Sequence, residues 1–443
     1  MFIRFLRLGG WASHRHLLLL AFPMILANIT TPLVGMVDTA VLGHMGKPSI
    51  LAGSSIAALI FTQIIWICGF IRMSTTGQSA QALGAKDRDK VAQVFWQGFS
   101  LALIIGVMLF MVREGVLGTG LALASLSKDA ASVAVDYFFV RSWSFPAALM
   151  NLTMVGWLIG QQQTRRVLLV QVVGNCVNVS LNFFFVYGLS LGVKGVATAT
   201  VISEVLMCVC YLYSCGALMQ WRKPQIAWFH QKGLNSVVSL NANMLLRNLV
   251  LQICIAFITL QGTRHGVVAV GINAILMQFF ALIALGLDGI AYAVEALVGK
   301  AKGARSRVLF FKSISQGLFW SCIFAAVYAV TFSVFGISIS KILTAHADIL
   351  DGFKSYIWIL ILLPLLGHWC FLFDGVAVGL TRSKAMRDTL FLSFVFGFLP
   401  VWWLFQYKGN IALWIAMLVF VGFRGGSLAY VFYRDYVIRR HEI

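Results

Sequence analysis

The chain is 443 residues long, with 60% hydrophobic residues, only 11% charged residues and a mean hydropathy of +0.87. A soluble domain carries about 25% charged residues, so this composition excludes a water-soluble fold. The net charge of +19 suggests nucleic-acid binding, but the basic residues lie in short segments between apolar runs and not on one domain face. We therefore expect the lipid bilayer, and no nucleic acid, as a partner.

Apolar runs long enough to cross a hydrocarbon core of about 30 Å recur along the whole chain. They predict an all-α integral membrane protein with about twelve transmembrane helices. The predicted spans are residues 17–43, 50–80, 91–112, 133–160, 167–187, 194–218, 236–261, 267–298, 308–336, 355–380, 389–407 and 410–433. The first span is longer than the roughly 7–15 apolar residues of a signal peptide, so we expect it to be retained.

Lysine and arginine are distributed unevenly between the two sides of these spans. Counted over the connecting segments and termini, 21 lie on the side of the N-terminus, Arg4 and Arg7 among them, and eight lie on the other side. Because short cytoplasmic segments retain positive charge, this imbalance predicts that both termini are cytoplasmic.

The sequence repeats itself at one constant offset along the chain. The repeated positions are Gly84 with Gly303, Gln97 with Gln316, Gly156 with Gly375, and Gly160 with Gly379. One offset held over separate segments predicts two related halves of six helices each, inserted in the same sense. We therefore predict an N-lobe at residues 1–219 and a C-lobe at residues 220–443.

The first predicted span carries an acid, Asp38, on one helical stripe with Asn28, Thr31 and Gly35. A charged side chain at mid-bilayer costs about 2.5–3.5 kcal/mol on insertion scales, so an intramembrane carboxylate is a candidate for function. An enclosed carboxyl group can alternate between a proton and a cation. We expect Asp38 to couple transport to protons; the alternative is a structural hydrogen-bond acceptor.

Four amides follow each other on the fifth predicted span at helical spacing. They are Gln171, Asn175, Asn178 and Asn182, separated by four, three and four residues. At 100° per residue they fall within a strip of about 60°. This strip either lines a wet cavity around Asp38 or hydrogen-bonds to neighbouring helices without a substrate role.

The second half carries three intramembrane acids. Asp288 and Glu295 are seven residues apart on one face of the eighth span, and Asp374 lies in the tenth span. Arg247 is a candidate partner for Asp288 or Glu295, and Arg72 is a candidate partner for Asp38. A C-lobe ion site and a structural ion pair both remain open.

Motifs for nucleotide hydrolysis, metalloproteolysis and acyl transfer do not occur in the sequence. We therefore expect no enzyme activity, no cofactor and no metal site, and an ion gradient as the energy source. The eight cysteines lie in or beside apolar spans without a CxxC pair, which is typical of packing residues.

Four short sequence motifs, two in each half, are considered together. They are GMVDTAVLGH at residues 35–44, RMSTTG at residues 72–77, LDGIAYAVEA at residues 287–296, and Asp374-Gly375. Together they resemble the multidrug and toxic compound extrusion (MATE) family, specifically its DinF branch, over nearly the whole chain. The resemblance implies two six-helix lobes forming a V around a central cavity, in the bacterial inner membrane. It also implies export of cationic or amphiphilic drugs against protons or sodium.

The resemblance also implies roles for particular residues. Asp38 is implied as the coupling site, with Asn151 on the fourth helix, Asn178 and Asn182 on the fifth and Thr200 on the sixth around it. Relatives often carry a second acid where this chain has Asn182, which leaves Asp38 as the only acid of its lobe's cavity. Asp374 resembles a cation-binding acid of the sodium-coupled branch.

Our leading hypothesis is proton/drug antiport by a monomer. In it, protonation of Asp38 bends the first helix at Pro23 or Pro32 and releases substrate outward. Static proline kinks are the alternative for the bend. The rival functions are a sodium-coupled drug antiporter, a flippase of a lipid-linked precursor, which basic residues in the cavity would favour, and a channel or sensor.

Overall fold

The computed structural model describes residues 10–124 and 126–438, and helices make up nearly all of this part of the chain. Arg4 and Arg7, which entered the topology prediction, lie outside the described residues. Within them, eleven helices are long and apolar enough to cross a membrane. They correspond to eleven of the twelve predicted spans, so the predicted all-α membrane class is confirmed.

The helices of the first half begin near the N-terminus and end before an extended connection. They are α1 (Trp11–Gly43), α2 (Pro48–Ile67), α3 (Phe70–Gly84), α4 (Arg88–Met111), α5 (Arg113–Ala124), α6 (Lys128–Arg141), α7 (Phe145–Gly160), α8 (Thr164–Phe183) and α9 (Gly192–Leu218). The helices of the second half are α10 (Gln231–Thr263), α11 (Val267–Gly303), α12 (Arg307–Leu343), α13 (Ala347–Lys354), α14 (Ile357–Gly379), α15 (Ser383–Leu392), α16 (Leu399–Phe405) and α17 (Ile411–Phe432). The segments Phe184–Gly188, Ser393–Phe398 and Tyr433–Ile438 continue α8, α15 and α17 as wider π-helical turns.

The fourth predicted span, residues 133–160, is not one continuous helix. A 3-10 turn at Ser142–Ser144 separates α6 from α7. Pro146 stands in the first turn of α7, where its missing N–H costs no hydrogen bond and its fixed φ favours a helix start. Hydropathy does not detect such a break, because both pieces are apolar.

The described residues divide into two units by their contacts. The N-terminal unit comprises Leu26–Leu83 and Asp87–Ser236, and the C-terminal unit comprises residues 10–25, residues 84–86 and the residues from Val237 onward. Helix α1 therefore contributes its first part to the C-terminal unit, where Ser13 donates a hydrogen bond to Gln316. The lobe boundary between residues 219 and 220 stays a prediction.

Each unit has its own apolar core. Phe61, Phe138 and Phe145 pack together in the N-terminal unit. Phe279 and Trp414 belong to the larger core of the C-terminal unit. Many large apolar side chains elsewhere remain exposed on the helices, as expected for surfaces that face lipid.

Two close contacts between helices repeat at the same offset as the sequence. In each unit, a helix brings glycines against backbone carbonyl groups of a neighbouring helix, α7 against α3 and α14 against α11. The contacts pair Gly156 with Arg72 and Gly375 with Ala291, and Gly160 with Thr76 and Gly379 with Glu295. The repeat predicted from sequence is therefore also a repeat of packing, and small residues permit it.

Replacing Gly379 with alanine is expected to destabilise the protein. A Cβ atom at this position would lie 2.7 Å from the carbonyl oxygen of Glu295 and 3.0 Å from the amide nitrogen of Gly299. Both are backbone atoms, so the helices must move apart, which costs about 1–3 kcal/mol. Thermal unfolding in detergent measures the loss. Gly426→Ala is the control, because nothing lies within 4 Å of a Cβ there; an equal loss in both variants would contradict the prediction.

Candidate functional site

Asp38 lies near the C-terminal end of α1 and is half-buried. The side-chain amide of Asn182 on α8 donates a hydrogen bond to Asp38 Oδ1 at 2.5 Å. About two turns earlier on α1, Thr31 Oγ1 accepts a hydrogen bond from Gln171 on α8 at 2.7 Å. The polar stripe of α1 therefore contacts the amide strip of α8 at two levels, and the structure brings Asp38 together with Asn182.

The amides of α8 continue from Asp38 to α9. Asn182 Nδ2 also donates to Asn178 Oδ1 at 3.0 Å. Asn178 Nδ2 in turn donates to the hydroxyl groups of Thr200 at 3.2 Å and Ser203 at 3.3 Å. Asn178 and Asn182 are both buried, so these bonds form in a low-dielectric interior where they are strong. Asp38 is thus connected to α9 by an unbroken series of hydrogen bonds.

Asn182 has one polar atom left over. Its Oδ1 is buried and has no hydrogen-bond partner among the described residues. An amide oxygen only accepts hydrogen bonds or binds cations, so it requires a donor or a positive charge. The hydroxyl of a protonated Asp38 carboxyl group would supply such a donor. Asn182 can therefore bond to Asp38 in both of its protonation states.

A buried ion pair lies in the same unit, between Arg141 on α6 and Glu204 on α9. Arg141 donates from Nη1 to Glu204 Oε2 at 2.8 Å and from Nη2 to Oε1 at 2.6 Å, a bidentate arrangement. The side chains are only 10% and 16% exposed. The guanidinium also stacks 3.9 Å from the ring centre of Phe61, and it lies within electrostatic range of Asp38.

Sequence reasoning missed this pair. The resemblance implies Asp38 as the only acid of its lobe's cavity. Glu204 is a second enclosed acid in the same unit, paired with the cation that acts on Asp38. Glu204 follows Lys194 by ten residues, about 15 Å along the helix. Its position well inside the sixth predicted span could therefore have identified it as an intramembrane acid. Arg141 could have been found in the same way. A cation within electrostatic range of Asp38 is Arg141, which the sequence analysis did not name. Pairing of Asp38 with Arg72 stays a prediction.

The other predicted residues of the first half have separate surroundings. Asn151 donates to the backbone oxygen of Glu204 at 3.0 Å, so it contacts α9 beside the ion pair. Asn175 is half-buried, and its Nδ2 has no hydrogen-bond partner among the described residues. Pro23 and Pro32 both lie inside the continuous helix α1, where each interrupts the ladder of backbone hydrogen bonds.

Of the three acids predicted in the second half, Asp374 pairs with two arginines. Asp374 on α14 accepts hydrogen bonds from Arg247 on α10 and Arg424 on α17 through the same oxygen, Oδ2. The side chains are 14%, 9% and 7% exposed, so all three charges are removed from water. Asp288 on α11 is half-buried and within electrostatic range of Arg424, and Glu295 on the same helix is buried. Arg247, suggested as a partner of an α11 acid, contacts Asp374.

The polar groups of the site do not follow the repeat that the helices follow. At the offset that relates Gly84 to Gly303, Asp38 corresponds to Phe257 and Asn182 to Val401. Both apolar residues pack against the core of the C-terminal unit. The two halves therefore share a scaffold and packing contacts, but the chemistry beside Asp38 belongs to one half alone.

The helices define a multi-pass membrane protein, and the charged side chains enclosed within its spans are typical of transporters. The MatE family model matches residues 23–184 and again residues 242–403, two matches displaced by the offset of the internal repeat. The chain is also 36% identical to DNA damage-inducible protein F of Escherichia coli K12 over 96% of its own length and 93% of that protein. The chain belongs to the MATE family.

More distant relatives agree with this assignment. The probable multidrug resistance protein NorM of Thermotoga maritima is 25% identical over 93% of this chain and 90% of that protein. The crystal structure of a mutant of the Vibrio cholerae MATE transporter VcmN superposes with a TM-score of 0.86 at 19% identity, covering 96% of this chain and 98% of that one. The fold of the chain is therefore that of MATE transporters.

Proposed function

We propose that this transporter exports organic cations or amphiphilic drugs in exchange for protons, with Asp38 carrying the proton. The observation that carries the proposal is the difference between the partners of Asp38 and those of Asp374. Asp38 is held by the amide of Asn182, whereas Asp374 is held by two arginines. A carboxylate held by a neutral group can accept a positive charge without losing an ion pair. Relatives of the chain are named multidrug resistance proteins, which supports drugs as substrates.

Exchange follows if a proton and a cationic substrate compete for Asp38. When Asp38 is ionised, Asn182 Nδ2 donates to it, and a substrate cation can neutralise the charge. When a proton arrives instead, the new hydroxyl can donate to Asn182 Oδ1, which is without a partner in the described structure. The Asp38 carboxylate needs either the proton or the substrate cation, but not both at once. Ionised Asp38 then binds the substrate cation better than protonated Asp38 does, and this difference couples the two fluxes.

The surroundings of Asp374 support protons over sodium as the coupling ion. A sodium ion needs several oxygen ligands around it, with a carboxylate among them to balance its charge. Here two guanidinium groups already donate to the same oxygen of Asp374. The other oxygen, Oδ1, has no hydrogen-bond partner among the described residues, but a sodium ion there would be repelled by both guanidinium charges. Asp288 also lies within electrostatic range of Arg424, so two acids balance the two arginines. This does not support a flippase, because a pyrophosphate would need uncompensated positive charge.

We propose that the conformational step takes place in α1. Losing or gaining a proton at Asp38 changes its bonding to α8, and Pro32 lies six residues away on the same helix. A helix that already lacks hydrogen bonds at Pro23 and Pro32 bends at lower cost than a regular one. A structural relative of 18% identity has been solved as MATE in a bent and in a straight conformation.

We further propose that the protein is a monomer in the bacterial inner membrane with both termini cytoplasmic. The bacterial multidrug transporters among its relatives support the location. The excess of lysine and arginine on the side of the N-terminus supports the orientation.

Ethidium uptake into proteoliposomes tests the choice of ion. A pH gradient with an acidic interior is expected to drive ethidium uptake by those molecules whose cytoplasmic side faces the outside of the liposome. The initial rate of uptake is expected to be the same in sodium-free and sodium-containing buffer. Protein-free liposomes and a collapsed pH gradient are the controls. Uptake that requires sodium and ignores the pH gradient would contradict proton coupling and favour the sodium-coupled alternative.

A further inference from the structure

Three charged groups meet beside the amides of the N-terminal unit: Asp38, Arg141 and Glu204. The bidentate pair between the last two is buried, and ion pairs this deep seldom stabilise a fold more than apolar residues of similar size. The pair also lies in the unit that holds the proposed proton carrier. Its position therefore calls for an explanation beyond stability.

Arg141 is held on several sides. Glu204 takes two of its N–H groups, Ser144 Oγ accepts another, and Phe61 covers one face of the guanidinium. Asp38 and Glu204 both act on this one cation through its charge. A guanidinium with this geometry cannot form a bidentate pair with Asp38 unless it leaves Glu204. The two carboxylates are therefore competitors for Arg141.

Three neighbouring helices contribute groups at or near Asp38. Helix α6 contributes Arg141 and the phenol of Tyr137, α9 contributes Glu204, and α8 contributes only amides. Asp136 in the middle of α6 and Lys194 in the first turn of α9 form a separate, half-exposed pair. Of these groups, Arg141 acts on Asp38 through its charge, and Glu204 acts on Arg141.

The summed charge of Asp38, Arg141 and Glu204 determines whether Asp38 needs a further positive charge. With Asp38 ionised, the three groups sum to one negative charge, and a single proton or a single substrate cation brings the sum to zero. Without the charge of Glu204, an ionised Asp38 would be neutralised by Arg141 and would need neither. We propose that Glu204 is a positioning residue that keeps Arg141 away from Asp38, so that Asp38 must take its positive charge from a proton or a cationic substrate.

Hydrogen bonds also connect the pair to Asp38 through the protein. Glu204 follows Ser203 in α9, and Ser203 accepts from Asn178, which accepts from Asn182, which donates to Asp38. A change at Asp38 therefore reaches the helix that carries Glu204. The inference rests on the proposed function, because it assigns a role within proton-coupled export.

The test measures proton release by the purified protein when tetraphenylphosphonium is added, over a pH series in weak buffer. Glu204→Gln is expected to move the midpoint of the release profile to lower pH and to weaken binding of the probe. Arg141→Gln is expected to move the midpoint to higher pH. Each shift is expected to be about one pH unit, the size that one charge about 10 Å away produces at an effective dielectric constant of about 20.

The double variant Glu204→Gln/Arg141→Gln removes both charges together, and its midpoint is expected to return toward that of the original protein. It also avoids leaving a buried charge without a partner, so it keeps the test valid if a single variant fails to fold. Shifts in the same direction, or no shift in any variant, would overturn the inference. If the original protein itself releases no proton, the proposed function fails instead, so the two failures are distinguishable.

Discussion

Replacing Asp38 with asparagine is expected to reduce pH-driven drug export to the background of protein-free membranes. Asparagine has nearly the same shape and still offers an oxygen to the amide of Asn182, which now donates to Asp38 at 2.5 Å. It cannot take up or release a proton, so the substrate and the proton no longer compete for one charge. The expected result is a folded protein that has lost exchange.

Everted membrane vesicles with an acidic interior allow this loss to be measured as ethidium accumulation. Asp136→Asn is the matched control, because Asp136 lies in the same unit but pairs with Lys194 at 3.2 Å in a half-exposed position. Surface pairs of this kind contribute little, so the control is expected to transport at an unchanged rate. Undiminished accumulation by Asp38→Asn would exclude this carboxyl group as the proton carrier.

Replacing Asp374 with asparagine is expected to have a different effect, a loss of stability. Arg247 and Arg424 share this carboxylate and are nearly enclosed, so neither can recover its lost partner from water. Removing one member of a buried ion pair costs about 3–5 kcal/mol, because an uncompensated charge is left in the interior. Thermal unfolding in detergent is the measurement. Replacing both arginines with methionine in the same protein is expected to restore part of the stability.

Asp351→Asn is the control for that experiment. Asp351 on α13 pairs with Lys354 in a fully exposed position, and the hydrogen bond and positive charge of Lys354 lower the pKa of Asp351. A lowered carboxyl pKa stabilises the folded state above the ordinary pKa and loses that effect as the pH falls. Water screens this pair, so no measurable change in stability is expected. If Asp374→Asn were as stable as this control but inactive, Asp374 would be a transport site.

The predicted polar faces of single helices agree with the structure. Asp38 was found because a charge in lipid is costly, and helical periodicity placed the amides from Gln171 to Asn182 on one strip. The structure joins both ends of that strip to α1. Their role in transport stays a prediction. Glycines at a constant offset predicted the repeat, which the packing and the two family matches confirm.

Contacts between distant parts of the chain could not be predicted in this way. Arg141 and Glu204 are 63 residues apart, and Arg247 and Asp374 are 127 residues apart. Periodicity fixes which face of a helix a residue lies on, but not which neighbouring helix that face meets. The sequence therefore identified Asp374 as a candidate ion ligand and could not show that two arginines already donate to it. The break between α6 and α7 was missed because its residues are surrounded by apolar sequence.

The most direct test of proton exchange at Asp38 is the number of protons released when purified protein binds tetraphenylphosphonium in weak buffer. The account predicts about one proton per bound probe for the original protein, because the site needs one positive charge at a time, and none for Asp38→Asn. Equal release from both proteins would contradict it, since the exchanged proton would then come from another group.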